Sequence, residues 1–527
     1  MKELKHTLGA VVFSFIFLLF FIPLTSAWNR QICFETVVNM TEGGTLSSND
    51  SVFYRDQNGD IFSSPDNPIL TLPGCEELCG VPFNWYPDAG PRLNTWLIPV
   101  VLLVANMEVS PLDKRRYLMV FHLLGDPIDS MWSMLSKLEA WSRCDGLARL
   151  DVVRGFAQKY DTYAPKIFAT LLAGVEELLG PEHNPLDAFN SLLPRAKLSL
   201  EGKKVFRDLV HRTAFELADS RTDEILRTIF AVVLYMYQLI AAFVTTVGGG
   251  NTSPPGGRIG TAMFITWLVP VILLSNLIGG FTSRTVCFRI MEGFVQKVRS
   301  HSLLLSTVDQ SLLTKTLSRP SEFFNSQSWS GSVYTYVQPK KIAYNTESND
   351  RSRLFLLILS ILPIIIASIF GSAIIWNTPP EGLSCRNIML IVMTALWFLS
   401  TFLTWCISTV KFFGPKARWY IILVKDFVIG FPIILTIFLS SSGIFNSCRC
   451  WSAVYSLGVT AHVPLNTNAF FNYDDTHLYP ILVSICLALE LALFCYMVFV
   501  GRRGIRIIRW SEQEKRSLHE QMHPVLS

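Results

Sequence analysis

Ionisable side chains inside apolar segments are the first places to look for chemistry. A charge at mid-bilayer is costly, and such residues are retained mainly where they work. Glu490 lies near the centre of the apolar run 478–500, and Lys425 and Asp426 lie near the start of the run 419–439. At 1.5 Å per helical residue, Lys425 stands on the order of 9 Å, and Glu490 about 15 Å, from the ends of their runs. A lysine stem could cover that difference between neighbouring helices, so one reading pairs Lys425 with Glu490 around a proton or cation. The other has Lys425 reaching for headgroups and Glu490 hydrogen-bonded between helices. The second is the commoner outcome, and the chemistry stays open.

Other groupings are weaker. His122-Leu-Leu-Gly-Asp126-Pro-Ile-Asp129 sets an imidazole beside two carboxyls, a set that could do acid–base or metal work. The plainer account is that Gly-Asp-Pro ends one helix and Asp129 or Ser130 caps the next. Cys75-x-x-x-Cys79 and Cys448-x-Cys450 have metal-like spacing, but disulfides are the expected use in an oxidising compartment. His462, Asp474, Asp475 and His477 share one loop and read as solvated surface. The sequence lacks Gly-x4-Gly-Lys-Ser/Thr, His-Glu-x-x-His and Gly-x-Ser-x-Gly. No catalytic residue, cofactor or metal site is predicted.

The elements that must position these residues are membrane spans. A hydrocarbon core of about 30 Å takes roughly 20 apolar helical residues, since backbone groups must be satisfied internally. Seven stretches qualify: Leu93–Val109, Ile225–Val247, Ile259–Gly280, Leu354–Trp376, Ile388–Val410, Trp419–Leu439 and Leu478–Val500. The first is short and carries Asn106 and Glu108, so it could be re-entrant. Residues 1–27 have Lys2 and Lys5, an apolar middle and a Thr25-Ser26-Ala27 end, the pattern of a signal peptide cleaved before Trp28. The expected fold is an all-α membrane protein with about seven transmembrane helices after a cleaved signal peptide, plus a helical cytosolic insertion at 110–224.

Lys and Arg are retained on the cytosolic side. Seven crossings from an outside N-terminus give the cytosol residues 110–224, 281–353, 411–418 and 501–527, which hold 35 of the 45 Lys and Arg. The outer segments 28–92, 248–258, 377–387 and 440–477 hold 6. The C-terminus is then cytosolic, in the plasma membrane or an endomembrane of the secretory pathway. Half the residues are apolar and 16% are charged, against roughly 25% charged in soluble domains. The net charge of +4 follows from the inward bias, and no nucleic-acid partner is implied. Membrane lipids are the partners expected, with a cytosolic protein as a further candidate for 110–224. The basic Arg502, Arg503, Arg506 and Arg509 beside the last span suit anionic lipid.

Cysteines agree with this sidedness. Cys33, Cys75, Cys79, Cys385, Cys448 and Cys450 all fall outside, where disulfides persist. Six cysteines allow 15 pairings, so connectivity stays open. The sequons at Asn39 and Asn49 lie outside as well, as glycan acceptors must. Cys144 and Cys287 fall inside as free thiols. Residues 28–92 are too few for a large core and need disulfides; within them Thr45–Pro68 reads as a mobile loop. Inside 110–224, helical patterns cover Leu112–Leu124, Ser130–Trp141, Leu147–Tyr160, Lys166–Leu179 and Glu201–Arg227. The stretch 321–349 reads as mostly disordered.

One segment occurs twice. Thr95-Trp96-Leu-Ile-Pro99-Val-Val-Leu-Leu returns 171 residues later as Thr266-Trp267-Leu-Val-Pro270-Val-Ile-Leu-Leu, with seven identities in nine. Asn106 and Asn276 follow at similar places. Internal repeats are a habit of transporters, although Trp, Leu, Val and Pro are cheap to obtain twice at a membrane interface. Pro99, Pro270, Pro363 and Pro432 fall within spans and can kink them.

The stretches Gly90–Asn106, Ser110-Pro-Leu-Asp-Lys-Arg-Arg116, His122–Ser130, Gly256–Gly260, Trp267–Asn276 and Gly279–Arg284 resemble a family of uncharacterised multi-pass membrane proteins of filamentous fungi. The likeness covers roughly 75–140 and 225–290 well and the rest loosely. It implies a fungal membrane protein and supplies no activity. Heptahelical receptors fit less well, for Asp-Arg-Tyr after the third span and Asn-Pro-x-x-Tyr in the seventh are missing. The reading from sequence is an integral membrane protein of transporter or channel type. A membrane scaffold or lipid-organising protein and a receptor-like sensor are the alternatives, and an enzyme is not expected.

Overall fold

A computed structural model of the chain describes residues 30–47, 50–55, 68–80, 116–153, 164–179, 183–192, 199–220, 225–241, 255–279, 284–301, 312–318, 353–409, 415–443, 445–465 and 478–516. In chain order the elements are α1 (Arg30–Glu42), β1 (Ile69–Thr71), α2 (Leu72–Cys79), α3 (Arg116–Gly125), α4 (Pro127–Val153) and α5 (Ala164–Leu179). Next come α6 (Pro185–Leu192), α7 (Leu200–Asp219), α8 (Ile225–Ala241), α9 (Pro255–Phe264), α10 (Leu268–Gly279), α11 (Arg284–Ser300) and α12 (Leu312–Leu317). The chain ends with α13 (Arg353–Trp376), α14 (Cys385–Thr409), α15 (Pro415–Ser442), α16 (Cys448–Trp451), α17 (Val454–Leu457), β2 (His462–Pro464) and α18 (Leu478–Ile508).

Five stretches among the described residues are long and apolar enough to cross a membrane: Gly256–Ile278, Arg353–Trp376, Cys385–Thr409, Tyr420–Ser440 and Leu478–Arg516. The outward faces of the last four carry Ile358, Ile369, Val392, Phe402, Val428, Leu491 and Phe499 in the open, while Gly256–Ile278 is mostly enclosed by the others. Such an apolar exterior belongs in lipid rather than water. The protein is an integral membrane protein built from helices. Of the seven spans expected, Leu93–Val109 lies outside the described residues, as do the signal segment 1–27, Trp96, Pro99, Asn106 and Asn49. The second, Ile225–Val247, is described as far as Ala241; its 17 helical residues expose Leu226, Phe230, Val233 and Tyr237.

The first of the five is interrupted. Between α9 and α10, Ile265, Thr266, Leu268 and Val269 donate backbone N–H groups three residues back rather than four, a tightened 3₁₀ geometry. Trp267 and Pro270 of the repeated segment sit in and just after this break. Asn276 turns its amide back to Ile272 O, 2.9 Å away.

The five spans alternate in direction. At one end Tyr479 of α18 donates to Asn377 O after α13 (3.0 Å), and Gly257 of α9 lies against Arg386 of α14. That end carries a disulfide-tied module. β1 pairs antiparallel with β2, Ile69 opposite Pro464 and Thr71 opposite His462, while Tyr54 N donates to Ile69 O. Part of the segment read as a mobile loop is therefore held by backbone bonds. The six cysteines pair as Cys33–Cys79, Cys75–Cys448 and Cys385–Cys450. Cys33, Val37, Phe53, Leu70, Cys75, Trp451 and Val463 form its small core.

The opposite end carries a helical bundle of α4 to α7 and α11. Phe168, Phe189, Phe206 and Phe294 stack within it at centroid distances of 5.2–6.2 Å. The residues after α18 clamp onto it: Lys166 Nζ meets Glu514 at 2.8 Å, and Trp510 Nε1 donates to Thr170 Oγ1 at 3.2 Å. α4 is one helix of 27 residues, where the apolar pattern predicted two. Gly501 and Gly504 of α18 let it approach Leu138 and Trp141 closely.

Candidate functional site

α3 does not join the bundle. It runs antiparallel to α15, with Phe121 beside Gly430 and Gly125 beside Asp426. A Cβ on Gly430 would stand 3.0 Å from Gly125 N, so glycine on both helices is what permits the contact. The charge count assigned 110–224 to the inner side and gave no sign that its first helix packs among apolar spans.

The chain then breaks at Gly125-Asp126-Pro127. Proline suits the first turn of α4, and Asp126 caps it: Oδ1 accepts from Asp129 N at 3.1 Å. The cap is thus Asp126, where Asp129 or Ser130 was expected. Capping uses only part of this carboxylate. Thr401 Oγ1 donates to Oδ1 and Thr404 Oγ1 to Oδ2, each at 2.6 Å. Lys425 Nζ donates to Oδ2 at 2.8 Å. Trp397 Nε1 of α14 donates to Leu124 O, 2.9 Å away, at the same break.

Lys425 is almost completely satisfied. Besides Asp126, its ammonium reaches Ser400 Oγ (2.6 Å), Thr404 Oγ1 (2.8 Å) and Asp426 Oδ1 (2.6 Å). Asp426 Oδ2 in turn lies 2.6 Å from His122 Nδ1, and His122 Nε2 lies 3.3 Å from Asp129 Oδ2. The result is a continuous chain, Asp129–His122–Asp426–Lys425–Asp126, contributed by α3, α4 and α15 and roofed by the hydroxyls of α14. All five residues are buried; Asp126 is 0% exposed and His122 and Asp426 1%.

Electroneutrality says what this chain can do. Three carboxylates face one ammonium and one imidazole, so these five groups taken alone are neutral only when they hold two protons beyond the one fixed on lysine; the Arg353 guanidinium of α13 acts on Asp129 from outside the chain. Net charge in a low-dielectric interior is costly, and the 3.3 Å gap between His122 and Asp129 offers two neighbouring places for one of those protons. The geometry suits proton uptake, release and transfer. Nucleophilic chemistry has less support: the free Cys144 is buried in α4, where burial, with the Glu176 carboxylate adding to it, pushes the thiol well up.

Of the residues singled out from sequence, Lys425 and Asp426 fall in this site and Glu490 does not. The Lys425–Glu490 pairing is absent, because Lys425 turns toward α14 and α4 while Glu490 faces α8 and the α9–α10 break. Trp267 packs edge-on against Trp397, with centroids 5.3 Å apart, supporting the roof of the site. In the sequence His122, Asp126 and Asp129 read as a helix boundary, and Ser400, Thr401 and Thr404 carry no reading of their own. One signal was present: Ser400 and Thr404 are four residues apart in an otherwise apolar run and so share a helix face, whereas Asp126 falls at the break after α3.

Comparison with known proteins finds no matching family model, no similar curated protein and no similar solved structure.

Proposed function

We propose that this integral membrane protein is a proton-coupled transporter, with His122, Asp126, Asp129, Lys425 and Asp426 as the site that takes up and releases protons. The observation that carries the reading is the unbroken chain of five buried ionisable groups among apolar helices, two protons short of neutrality without exchangeable hydrogen. Ionisable groups gathered this way inside a membrane mark proton relays and ion pathways. The helix break at Asp126 and the tightened one at 265–267 provide places where packed helices can change register. In this reading the disulfide module, with Asn39 and Asn49 as glycan acceptors, faces the lumen or exterior after loss of residues 1–27, and the bundle faces the cytosol. The cysteine pairing and the basic residues at the bundle end support that sidedness.

Vesicles containing the purified protein and a trapped pH-sensitive dye test it, with a potassium gradient and valinomycin setting the voltage. The full-length protein should acidify or alkalinise the lumen faster than protein-free vesicles, and Asp126→Asn and His122→Gln should remove the excess rate. Wild-type vesicles no faster than empty ones would overturn the proposal. A second reading is favoured by the saturation of Lys425: the cluster is a structural latch holding α3 and α4 to α14 and α15, as a scaffold would need. It predicts that the same substitutions lower thermal stability in detergent while wild-type vesicles show no flux.

A further inference from the structure

A second ionisable group lies in the apolar layer, apart from the His122–Asp426 cluster. Glu490 stands about 18 Å along α18 from Leu478, at 1.5 Å per residue. It is 4% exposed, and neither carboxyl oxygen has a hydrogen-bond partner among the described residues. One turn earlier on the same face, Cys486 Sγ lies 3.9 Å from Thr266 Oγ1. Since α10 and α18 run in the same direction, Glu490 is level with Pro270, just past the α9–α10 break. Tyr235 of α8 closes the side, its hydroxyl committed to Ala262 O at 3.0 Å. The Trp267 indole N–H in the break is likewise buried and without a partner among the described residues.

Among the described residues no counter-charge is near. The titratable groups facing Glu490 among them are Tyr235 and Cys486. On α9, α10 and α13 the charged residues are Arg258 and Arg353, toward opposite ends of the spans. Through the Thr266–Cys486 contact, Arg258 is offset from Glu490 by on the order of 18 Å along the helix axes. An ionised carboxylate buried without a partner costs many times the energy of an ordinary hydrogen bond. The group must therefore be neutralised by whatever binds it. A divalent or transition-metal cation needs several ligands, and the described residues contain no group of three or more His, Cys, Asp or Glu placed to hold one. A proton needs only the carboxyl.

We infer that Glu490 is a separate proton-binding site within the membrane layer, carrying its proton at neutral pH and set against the helix break at Ile265–Trp267. This inference rests on α18 and its neighbours alone, so it stands or falls independently of flux through the other cluster. Infrared difference spectroscopy on the full-length protein in vesicles tests it. Wild type minus Glu490→Gln at neutral pH should show the C=O stretch of a protonated carboxylic acid, shifted in heavy water. Should Glu490→Gln fail to fold, Glu490→Asp is the second variant, and the difference band should then appear as a frequency shift. A carboxylate band in place of the acid band, or an acid band that vanishes when choline is exchanged for sodium at constant pH, would overturn the proton assignment.

Discussion

Asp126 shows how one side chain serves structure and chemistry together. As an N-cap it satisfies Asp129 N, and as an ion-pair partner it holds Lys425 between α14 and α15. Removing a single partner from a buried pair leaves an uncompensated charge, which typically costs about 3–5 kcal/mol, whereas replacing both with apolar groups can be neutral or stabilising. Here Lys425 keeps Asp426 when Asp126 is lost, so Asp126→Ala should lower the thermal midpoint in detergent mainly by unpairing Asp129 N and the Thr401 and Thr404 hydroxyls, and Asp126→Leu with Lys425→Met should lower it further because Asp426 then loses its ammonium. A double variant more stable than the single would show instead that Lys425 is the charge left unpaired. At this scale the sequence was partly legible. Lys425 and Asp426 stand out because apolar neighbours surround them, whereas Asp126 hides in a Gly-Asp-Pro that any helix boundary could use. Ser and Thr in a span draw no notice, since each can bond its own helix backbone, as Thr404 can to Ser400 O at 3.2 Å.

At the scale of elements, α3 matters most, because it carries His122 to Asp426. Its approach to α15 depends on Gly125 and Gly430, where an added Cβ would meet the opposing backbone within about 3 Å. Backbone atoms cannot move aside as a flexible side chain can, so Gly430→Ala should push the helices apart. Overpacking of this kind costs roughly 1–3 kcal/mol. The expected result is a lower thermal midpoint together with loss of a disulfide cross-link between cysteines placed at Phe121 and Phe427, whose rings lie 5.7 Å apart in the native fold. Retention of the cross-link would mean that α3 can dock without the glycine pair. Helical periodicity found α5 closely, found the start of α7 but overran its end at Asp219 by eight residues, and divided α4 in two around Gly146. A mid-helix glycine costs about 1 kcal/mol relative to alanine, and packing of α4 against α5, α13 and α18 offsets that. Periodicity reports which face is apolar; it is silent about which neighbour the face will meet, so the packing of α3 against α15 was not legible in it.

For the molecule as a whole, three layers are joined by very few covalent ties, and these lie at one end. Apolar length and charge bias foresaw helices in a membrane, and alternation of loops put all six disulfide cysteines together. Their pairing was not readable, because it depends on β1 meeting β2 from segments nearly four hundred residues apart. That meeting has a covalent consequence. Cys75–Cys448 links positions 373 residues apart, so it encloses both the bundle and the first four described spans. Cleavage of an engineered protease site placed within 321–350 should give two fragments that migrate together without reductant and separate with it. Cys448→Ser should release them under either condition, because Cys33–Cys79 lies wholly before the cut and Cys385–Cys450 wholly after it. Fragments that separate without reductant in the unmutated protein would mean that the outer cysteines pair only within their own segments, and the module would then lose the bond that ties the head of the chain to its final third.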